Sequence, residues 1–301
     1  MKWKEITVKT TNQAFSAVSN LLEEAGASGL FTEKINQARD EVLIKAYFVE
    51  DDNLKMKLKR LDDKIKKLKE YGLEIGSIGL EVESLAEEDW ATKWKENFKP
   101  FHITDDIVIK PTWEEYEVGE DEIMIEMDPG QAFGTGHHVT TSSCLAAIED
   151  NLDEETSLLD LGTGTGILAI AAAKIGAGKI LGLDIDQTAV KAARENAELN
   201  GVAAKTKFIK GNLVDNVTKD YDLIVANILP HIILDLIPNL ERVMQAESRF
   251  ILSGIVTEKL AAIKECLAEN DFVVTDIIKR SEESEEWVTV IGEKDSKEEK
   301  Q

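Results

Sequence analysis

Residues 158–166, with the sequence LLDLGTGTG, constrain the fold of this chain more than any other segment. An apolar strand runs into a turn with glycine at every second position, and the apolar segment ILAIAAAKI that follows is typical of a buried helix. In open α/β sheets, this order of elements brings ligands against bare backbone at the carboxyl end of the strand. The next strand ends at Asp184, 22 residues after Gly162, where a carboxylate can accept hydrogen bonds from two ribose hydroxyls. The segment therefore predicts a nucleoside-binding turn.

From residue 105 onward, apolar strands alternate with helices, and two last strands at 272–280 and 286–292 flank the short acidic turn SEESEE. This alternation predicts a doubly wound parallel sheet covered on both faces, with the last two strands added as an antiparallel hairpin. The first 85 residues instead follow the order strand, helix, strand, strand, helix, strand, which is that of a ferredoxin-like sandwich. We therefore expect an α/β, Rossmann-like domain preceded by a small ferredoxin-like α+β domain.

The two patterns are separated by an aromatic stripe. Trp90, Trp94 and Phe98 recur at helical spacing up to Pro100, which predicts a short helix packed against one or both domains. The charged end of the chain is expected to lack order. The expected segments are 1–85 for the ferredoxin-like domain, 86–104 for the linker helix, 105–292 for the Rossmann-like domain and 293–301 for a disordered tail.

The net charge of −23 is spread unevenly along the chain. Residues 1–100 carry a net charge of −2, and residues 101–301 carry −21. This excess of carboxylates disfavours a nucleic-acid-binding face on the second part, because contacts to phosphates need Lys and Arg. It suits a basic partner attracted by the electrostatic field, and it equally serves solubility alone.

Composition also bears on the compartment. The sequence has no run of about 18 apolar residues and no apolar core of a signal peptide, which disfavours a membrane segment. Two cysteines are too few for a disulfide framework. We therefore expect a cytoplasmic, monomeric protein without a membrane or a direct nucleic-acid partner.

Glycine spacing and a neighbouring acid indicate the class of cofactor. Dinucleotide enzymes use G-x-G-x-x-G, whereas this turn places Gly162, Gly164 and Gly166 as G-x-G-x-G after Asp160. A carboxylate at Asp160 would repel a pyrophosphate, but it can hold an ammonium or a sulfonium group. The pattern favours the cationic nucleoside S-adenosylmethionine over NAD, bound by Asp160, the three glycines and Asp184.

Asn227 is a third candidate, at the end of a later strand in DLIVANILP. Parallel strands end at one edge of a sheet, so Asn227 is expected level with the glycine turn. The segment resembles the N-P-P-Y loops of methyltransferases that modify nitrogen, in which the Asn side chain and the following carbonyls hold the target amine. We expect Asn227 to position an acceptor amine; the alternative is an ordinary turn residue.

The loop MDPGQAFGTGHH, residues 127–138, combines glycines with a histidine pair. A zinc site needs three or four ligands, and four His and two Cys without paired spacing do not supply them, so we predict no metal site. Gly134 and Gly136 would let the backbone close over a cofactor, and Phe133 would help to exclude water. We expect the histidine pair to shape the loop and to be dispensable for chemistry; the alternative is that one of the two accepts a proton.

Five segments occur in the order and spacing of one family of methyltransferases: DPGQAFGTGHHVTT, LDLGTGTGILAIAA, GLDIDQTAVKAARENAELN, DLIVANIL and LSGI. On these segments the chain resembles the PrmA family, whose members methylate the large-subunit ribosomal protein L11. The resemblance implies a class I methyltransferase that acts on lysine ε-amines, and on the N-terminal α-amine, of that protein. It also implies that residues 1–85 recognise the substrate.

The resemblance further assigns residues to the cofactor. Asn212, after the third strand of the alternation, is expected to meet the adenine. Pro230 departs from the family, which commonly has Ala there; this brings the loop nearer to the N-P-P-Y form and bears on the positioning of the amine. The positions that match S-adenosylmethionine contacts of the family are Thr141, Gly162, Asp184 and Asn227.

Three other functions are compatible with parts of the sequence. Another nitrogen methyltransferase, such as a release-factor glutamine methyltransferase, is disfavoured by the loop at 127–138 and the ferredoxin-like pattern. An NAD-dependent oxidoreductase is disfavoured by Asp160 and the glycine spacing. A non-catalytic ribosome-associated module is disfavoured because it could lose Asp160, Gly162 or Asp184 without penalty.

Overall fold

The structure is a computed structural model of the 301-residue chain. It divides into two compact units, residues 1–98 and 99–301, which we describe separately. The residues that the structure describes are 3–27, 30–36, 41–51, 54–71, 73–76, 80–85, 99–127, 138–215, 217–282 and 285–295.

The first unit has the predicted order of strands and helices. Its antiparallel sheet has the order β2-β3-β1-β4, with the first and third strands side by side in the centre, as in ferredoxin-like sandwiches. The strand expected over 73–84 begins only at Leu80, after Gly76 in a left-handed conformation. The elements are β1 (Trp3–Thr11), α1 (Asn12–Glu24), β2 (Leu30–Asn36), β3 (Glu41–Val49), α2 (Leu54–Lys67), a 3-10 turn (Leu68–Tyr71) and β4 (Leu80–Leu85).

Alternation along the strands builds the core of this unit. Ile6 and Val8 of β1, with Ile44 and Phe48 of β3, are buried in one cluster with side chains of both helices. Successive strand residues point to opposite faces, so one face of the sheet is apolar and receives the helices.

The second unit follows the predicted alternation closely. Its elements are β5 (Phe101–His102), β6 (Ile107–Pro111), β7 (Ile123–Met127), α3 (Val139–Asn151), β8 (Ser157–Leu161), α4 (Ile167–Ile175), β9 (Lys179–Asp184), α5 (Gln187–Leu199), β10 (Thr206–Lys210), β11 (Tyr221–Asn227), α6 (Pro230–Leu236), a 3-10 helix (Ile237–Val243), β12 (Met244–Val256), α7 (Thr257–Glu269), β13 (Phe272–Glu282) and β14 (Glu285–Lys294).

A seven-stranded sheet organises this unit, with the order β10-β9-β8-β11-β12-β14-β13. Five strands run parallel, and β14 pairs antiparallel with both β12 and β13, so the predicted terminal hairpin is confirmed. The chain winds outward from β8 to β10 and then returns to β11 on the other side of β8. Ligands of doubly wound sheets bind where the strand order reverses in this way, at the carboxyl ends of the strands.

Two apolar clusters cover the faces of the sheet. Side chains of α3, α4 and α5 pack on one face, and those of α6, α7 and the 3-10 helix pack on the other. Within β8, Leu158 belongs to the first cluster and Leu159 to the second, so the central strand is apolar on both sides. The Rossmann-like fold predicted from the uninterrupted apolar strands is confirmed.

The expected linker helix over 86–104 differs from the structure in its last part. Residues 86–98 lie outside the described residues, and 99–104 are not helical: β5 pairs antiparallel with β6. Pro100 has no amide proton and disfavours a helical conformation of Lys99, so a helix would end before this strand. Strands β5, β6 and β7 form a small separate sheet in which β6 and β7 are parallel.

Two other boundaries also shift. Residues 293–295, expected in a disordered tail, are ordered, because β14 extends to Lys294 and the Asp295 amide donates to the Asp271 carbonyl at 2.7 Å. Residues 296–301 lie outside the described residues. The helix expected over 231–245 ends at Leu236 and continues as a 3-10 helix, because Pro238 removes a donor of the α-helical ladder. In the part of the chain that the structure describes, no helix is long and apolar enough to cross a membrane.

Candidate functional site

The glycine turn joins β8 to α4 at the switch point of the sheet. All three glycines of the turn have positive φ, a region that residues with a Cβ rarely adopt. The values are 73° at Gly162, 54° at Gly164 and 83° at Gly166. A Cβ on Gly166 would also lie 3.1 Å from the Cβ of Ala193, so this glycine lets the turn pack on α5. The sequence G-x-G-x-G thus produces a tight turn in which Gly162 is exposed and Gly164 is half-buried.

Asp184 fastens this turn to the end of β9. Its Oδ2 accepts a hydrogen bond from the Gly164 amide at 2.9 Å, and its Oδ1 accepts one from the Asp186 amide at 2.9 Å. The amides of Gly162 and Thr163 donate to the Leu183 carbonyl at 2.8 and 2.9 Å. A carboxylate has about four lone-pair positions, so Asp184 retains acceptor capacity for hydroxyl groups of a ligand.

Asp160 is the most unusual group of the site, because its side chain is only 1% exposed. Thr163 donates from Oγ1 to Oδ2 at 2.6 Å, while Oδ1 is buried and has no hydrogen-bond partner among the described residues. Burial, together with the charge of Asp184, raises the pKa of Asp160 to about 7, although hydrogen bonding by Thr163 and by the backbone of Ala169 lowers it. A cation bound at the turn would supply the positively charged partner that this buried carboxylate lacks.

Asn227 and Asn212 lie at the same edge of the sheet. Asn227 is half-buried at the end of β11, which pairs with β8 up to Leu161. Asn212 is exposed after β10 and donates to Asp215 at 3.2 Å. The amide of Gly211 donates to the Asp184 carbonyl at 3.0 Å, which places Asn212 beside the end of β9.

Thr141 lies in the first turn of α3, buried, with its amide donating to the His138 carbonyl at 3.0 Å. Cys144, one turn later, is buried near Asp160 and Ser253, and burial raises the pKa of its thiol to about 12. Residues three apart share a face of a helix, so Thr141 belongs to the face of α3 that packs toward β8 and β12.

The predicted residues Phe133 and Gly134, with the rest of 128–137, lie outside the described residues.

His138 caps the start of α3. Its Nδ1 accepts from the Thr140 amide at 3.2 Å, and its Nε2 lies 3.4 Å from Oε2 of Glu282. The ring also packs edge-on against Trp287, with centroids 4.7 Å apart. Both ring nitrogens therefore face groups of the protein itself, which agrees with a structural role for this histidine.

Sequence reasoning overlooked Thr163, Ile185 and Gly254. Thr163, inside the glycine motif, holds the buried carboxylate, and its spacing of three from Asp160 was a usable signal. Ile185 is 68% exposed directly after Asp184, and an apolar side chain at that place offers a flat contact for a ring. Gly254 belongs to the segment LSGI that carries part of the resemblance, but nothing in the sequence indicates the bulge at this residue.

Replacement of Asp160 tests the cost of its burial. Because the pKa of this acid is raised, its contribution to the free energy of unfolding is largest below about pH 4 and is lost as the pH rises toward 7. Asp160→Asn should therefore raise the free energy of unfolding of the cofactor-free protein at pH 8 by about 2–4 kcal/mol. It should also flatten the pH dependence between about pH 4 and 7, as measured by urea unfolding at several pH values.

Asp186→Asn is the matched control, because Asp186 caps α5 through the Thr188 amide and Asn caps a helix as well as Asp does. Its free energy of unfolding should stay within about 0.5 kcal/mol of wild type. A free energy of unfolding of Asp160→Asn below that of wild type at pH 8 would contradict an unpaired buried carboxylate.

The structural role of His138 is tested by keeping the cap and removing the imidazole. His138→Asn retains a side-chain acceptor, so the single-turnover rate of the methyl transfer that the resemblance implies should remain within about tenfold of wild type. His138→Ala should lower the free energy of unfolding by about 1 kcal/mol relative to His138→Asn, because it lacks that acceptor. A loss of transfer greater than about a thousandfold in both variants, with unchanged cofactor affinity, would instead assign chemistry to the imidazole.

Comparisons with known proteins identify the family. The family described as Ribosomal protein L11 methyltransferase (PrmA) matches residues 2–295. The ribosomal protein L11 methyltransferases of Halalkalibacterium halodurans and Alkaliphilus oremlandii are 38% and 39% identical, and each match covers 97% of this chain and 98% of the relative. A crystal structure of ribosomal protein L11 methylase from Lactobacillus delbrueckii subsp. bulgaricus is 38% identical with a TM-score of 0.61, over 65% of this chain and 99% of that one. The chain therefore belongs to the ribosomal protein L11 methyltransferase (PrmA) family.

Proposed function

We propose that this chain transfers methyl groups from S-adenosylmethionine to lysine ε-amines, and to the N-terminal α-amine, of ribosomal protein L11. The observation that carries the proposal is the family match over residues 2–295, since the relatives that share nearly the whole chain bear this name. The position of Asn227 at the same sheet edge as the glycine turn supports transfer to a nitrogen acceptor.

The residues of the turn suit a cationic nucleoside. S-adenosylmethionine carries an ammonium and a sulfonium, and the buried, unpaired Oδ1 of Asp160 favours positive charge nearby. We assign the positive end of the cofactor to the neighbourhood of Asp160, and the backbone of Gly162, Gly164 and Gly166 to close contact with it. Asp184 has acceptor capacity left for the ribose hydroxyls.

Other residues are assigned by their place around this turn. Asn212 is assigned to the adenine, and the exposed Ile185 offers that ring an apolar contact. Thr141, in the first turn of α3, is assigned to the methionine end of the cofactor. Phe133 and Gly134 are assigned to the wall that excludes water there.

The chemistry asks little of side chains. S-adenosylmethionine, when bound, would supply a methyl group to the amine nitrogen, which bonds to the methyl carbon in line as the carbon–sulfur bond breaks; the thioether of S-adenosylhomocysteine is the leaving group, and the methylated amine gives up its proton to solvent. The residues of this chain orient the amine, through Asn227 and the carbonyls after it, and exclude water. A lysine has a pKa of about 10.4 in water, and partial desolvation lowers it toward the neutral form that reacts. We therefore assign no general base.

We propose that recognition and catalysis are divided along the chain. Residues 1–85 would recognise the ribosomal protein, and the second unit, which begins at Lys99, would carry out the transfer. The net charge of −21 over 101–301 would attract a basic ribosomal protein. We place the enzyme in the cytoplasm, acting as a monomer without a direct nucleic-acid partner.

The proposal is tested by incubating the protein with labelled S-adenosylmethionine and purified ribosomal proteins, followed by mass spectrometry. We expect label on lysine side chains and the N-terminal amine of L11. Asn227→Ala should lower the single-turnover rate at saturating cofactor by about 100-fold or more, because the amine loses its positioning. Asn212→Ala should weaken cofactor binding and leave that saturated rate within about threefold of wild type.

The outcomes separate the alternatives. Label on a glutamine amide of a release factor would show that the substrate is the release factor and not L11. Binding of NAD instead of S-adenosylmethionine in calorimetry would contradict methyl transfer itself. Equal effects of the two Asn substitutions on the saturated rate would remove the assignment of Asn227 to the amine.

Deletion of residues 1–85 tests the division of labour. The shortened chain should keep its affinity for S-adenosylmethionine, since the residues assigned to the cofactor lie in the second unit. Methylation of L11 should fall below detection, because the recognition surface is gone. Cofactor binding by calorimetry serves as the check on folding, and unchanged methylation of L11 by a cofactor-binding deletion would contradict the proposed role.

A further inference from the structure

Gly254 lies at an irregular point of β12. The pairing of β12 with β14 shifts between Leu252 and Ile255, so that three steps along β12 match two along β14. Gly254 occupies this bulge with a φ of 83°. A bulge bends its strand and re-aims the local backbone, and a left-handed residue within it is usually glycine.

The bulge brings the backbone of β12 against Ile228, the residue after Asn227. A Cβ on Gly254 would overlap the Ile228 carbonyl oxygen and lie 3.1 Å from its carbonyl carbon and 3.2 Å from its nitrogen. These atoms are backbone, so no side-chain rotation could relieve the overlap. From the other direction, a Cβ on Gly162 would overlap Cγ2 of Ile228. Ile228 is therefore seated between two glycines.

Hydrogen bonds fix the bulge in place. The Ile228 amide donates to the Ser253 carbonyl at 3.2 Å. The buried Ser253 Oγ lies 2.6 Å from Oγ1 of Thr289 and donates to the Thr140 carbonyl at 3.5 Å. Strand β14 and helix α3 thus hold the part of β12 that contacts Ile228.

The segment that follows Ile228 is constrained as well. Leu229 is 60% exposed at the start of α6, and Pro230 at the first helical position has a fixed φ. The backbone of 227–229 is therefore held by the sheet on one side and by the helix on the other. A shift of Ile228 would move the Asn227 side chain and the carbonyls that follow it.

We propose that Gly254 is a positioning residue for methyl transfer: because it lacks a side chain, Ile228 seats against β12 and the Asn227 segment is aimed at the acceptor amine. The inference rests on the proposed function and adds a residue outside the glycine turn and outside the Asn227 segment itself. Gly254 acts through Ile228, so its replacement should change the rate of transfer more than it changes cofactor binding.

The test compares Gly254→Ala with Gly201→Ala in the full-length protein. Gly201 has a φ of 71°, and no atom lies within 4 Å of the position that a Cβ would take there, so an alanine carries the same backbone strain without the overlap. Gly254→Ala should lower kcat on L11 by about 100-fold, with KM and the Kd for S-adenosylhomocysteine within about threefold of wild type. Gly201→Ala should lose only the stability that the left-handed backbone costs an alanine, less than Gly254→Ala loses, and keep kcat within about twofold of wild type.

Hydrogen exchange of the Ile228 amide reports the seating without any need for activity. It should be faster in Gly254→Ala than in wild type or Gly201→Ala, because the hydrogen bond to the Ser253 carbonyl is displaced.

Three results would each overturn the inference: a kcat of Gly254→Ala within threefold of wild type, an unchanged exchange rate, or a Kd that rises as much as kcat falls. If Gly254→Ala does not bind S-adenosylhomocysteine, Ser253→Ala takes its place and should lower kcat at least fivefold with Kd unchanged; an unchanged kcat there also overturns the inference. Absence of methylation by the wild-type protein would remove the proposed function and with it the role in methyl transfer, whereas the exchange result would still show whether Gly254 seats Ile228.

Discussion

A carboxylate buried at the carboxyl end of the central strand is the constraint on which the site depends. Asp160 is enclosed by an apolar sheet and its helices, and one of its oxygens lacks a partner among the described residues. Such a group costs free energy in the folded protein and favours the protonated form. A positive charge at the turn would offset this cost, so under the proposed function the residue that destabilises the free enzyme would also favour a cationic cofactor.

Backbone, more than side chains, shapes the rest of the site. The turn after β8 follows a left-handed path because glycines replace side chains, and Gly254 brings β12 against Ile228 for the same reason. Methyl transfer from a sulfonium needs orientation and exclusion of water more than it needs acids, bases or nucleophiles. A site built from close backbone contacts supplies that orientation, because its backbone groups have little conformational freedom to lose when a ligand binds.

The fold was predictable from sequence because its strands are apolar on both faces and its helices alternate with them without interruption. The grouping of Asp160, the glycines and Asp184 was predictable as well, since all of them stand at strand ends that a parallel sheet brings together. Other features depend on tertiary register, which periodicity does not report. The unpaired oxygen of Asp160, the bulge at Gly254 and the strand at Phe101–His102 belong to that group.

The terminal hairpin shows how far such register effects extend. Sequence predicted two antiparallel strands at the end of the sheet, and the structure confirms them, but their contacts reach the start of α3. Glu282 and Trp287 hold His138, which caps that helix, and Thr289 holds the serine of the β12 bulge. The hairpin therefore supports both the helix that carries Thr141 and the strand that seats Ile228. The local sequence of the histidine pair suggests catalysis. In the structure, His138 instead links the terminal hairpin to the first turn of α3.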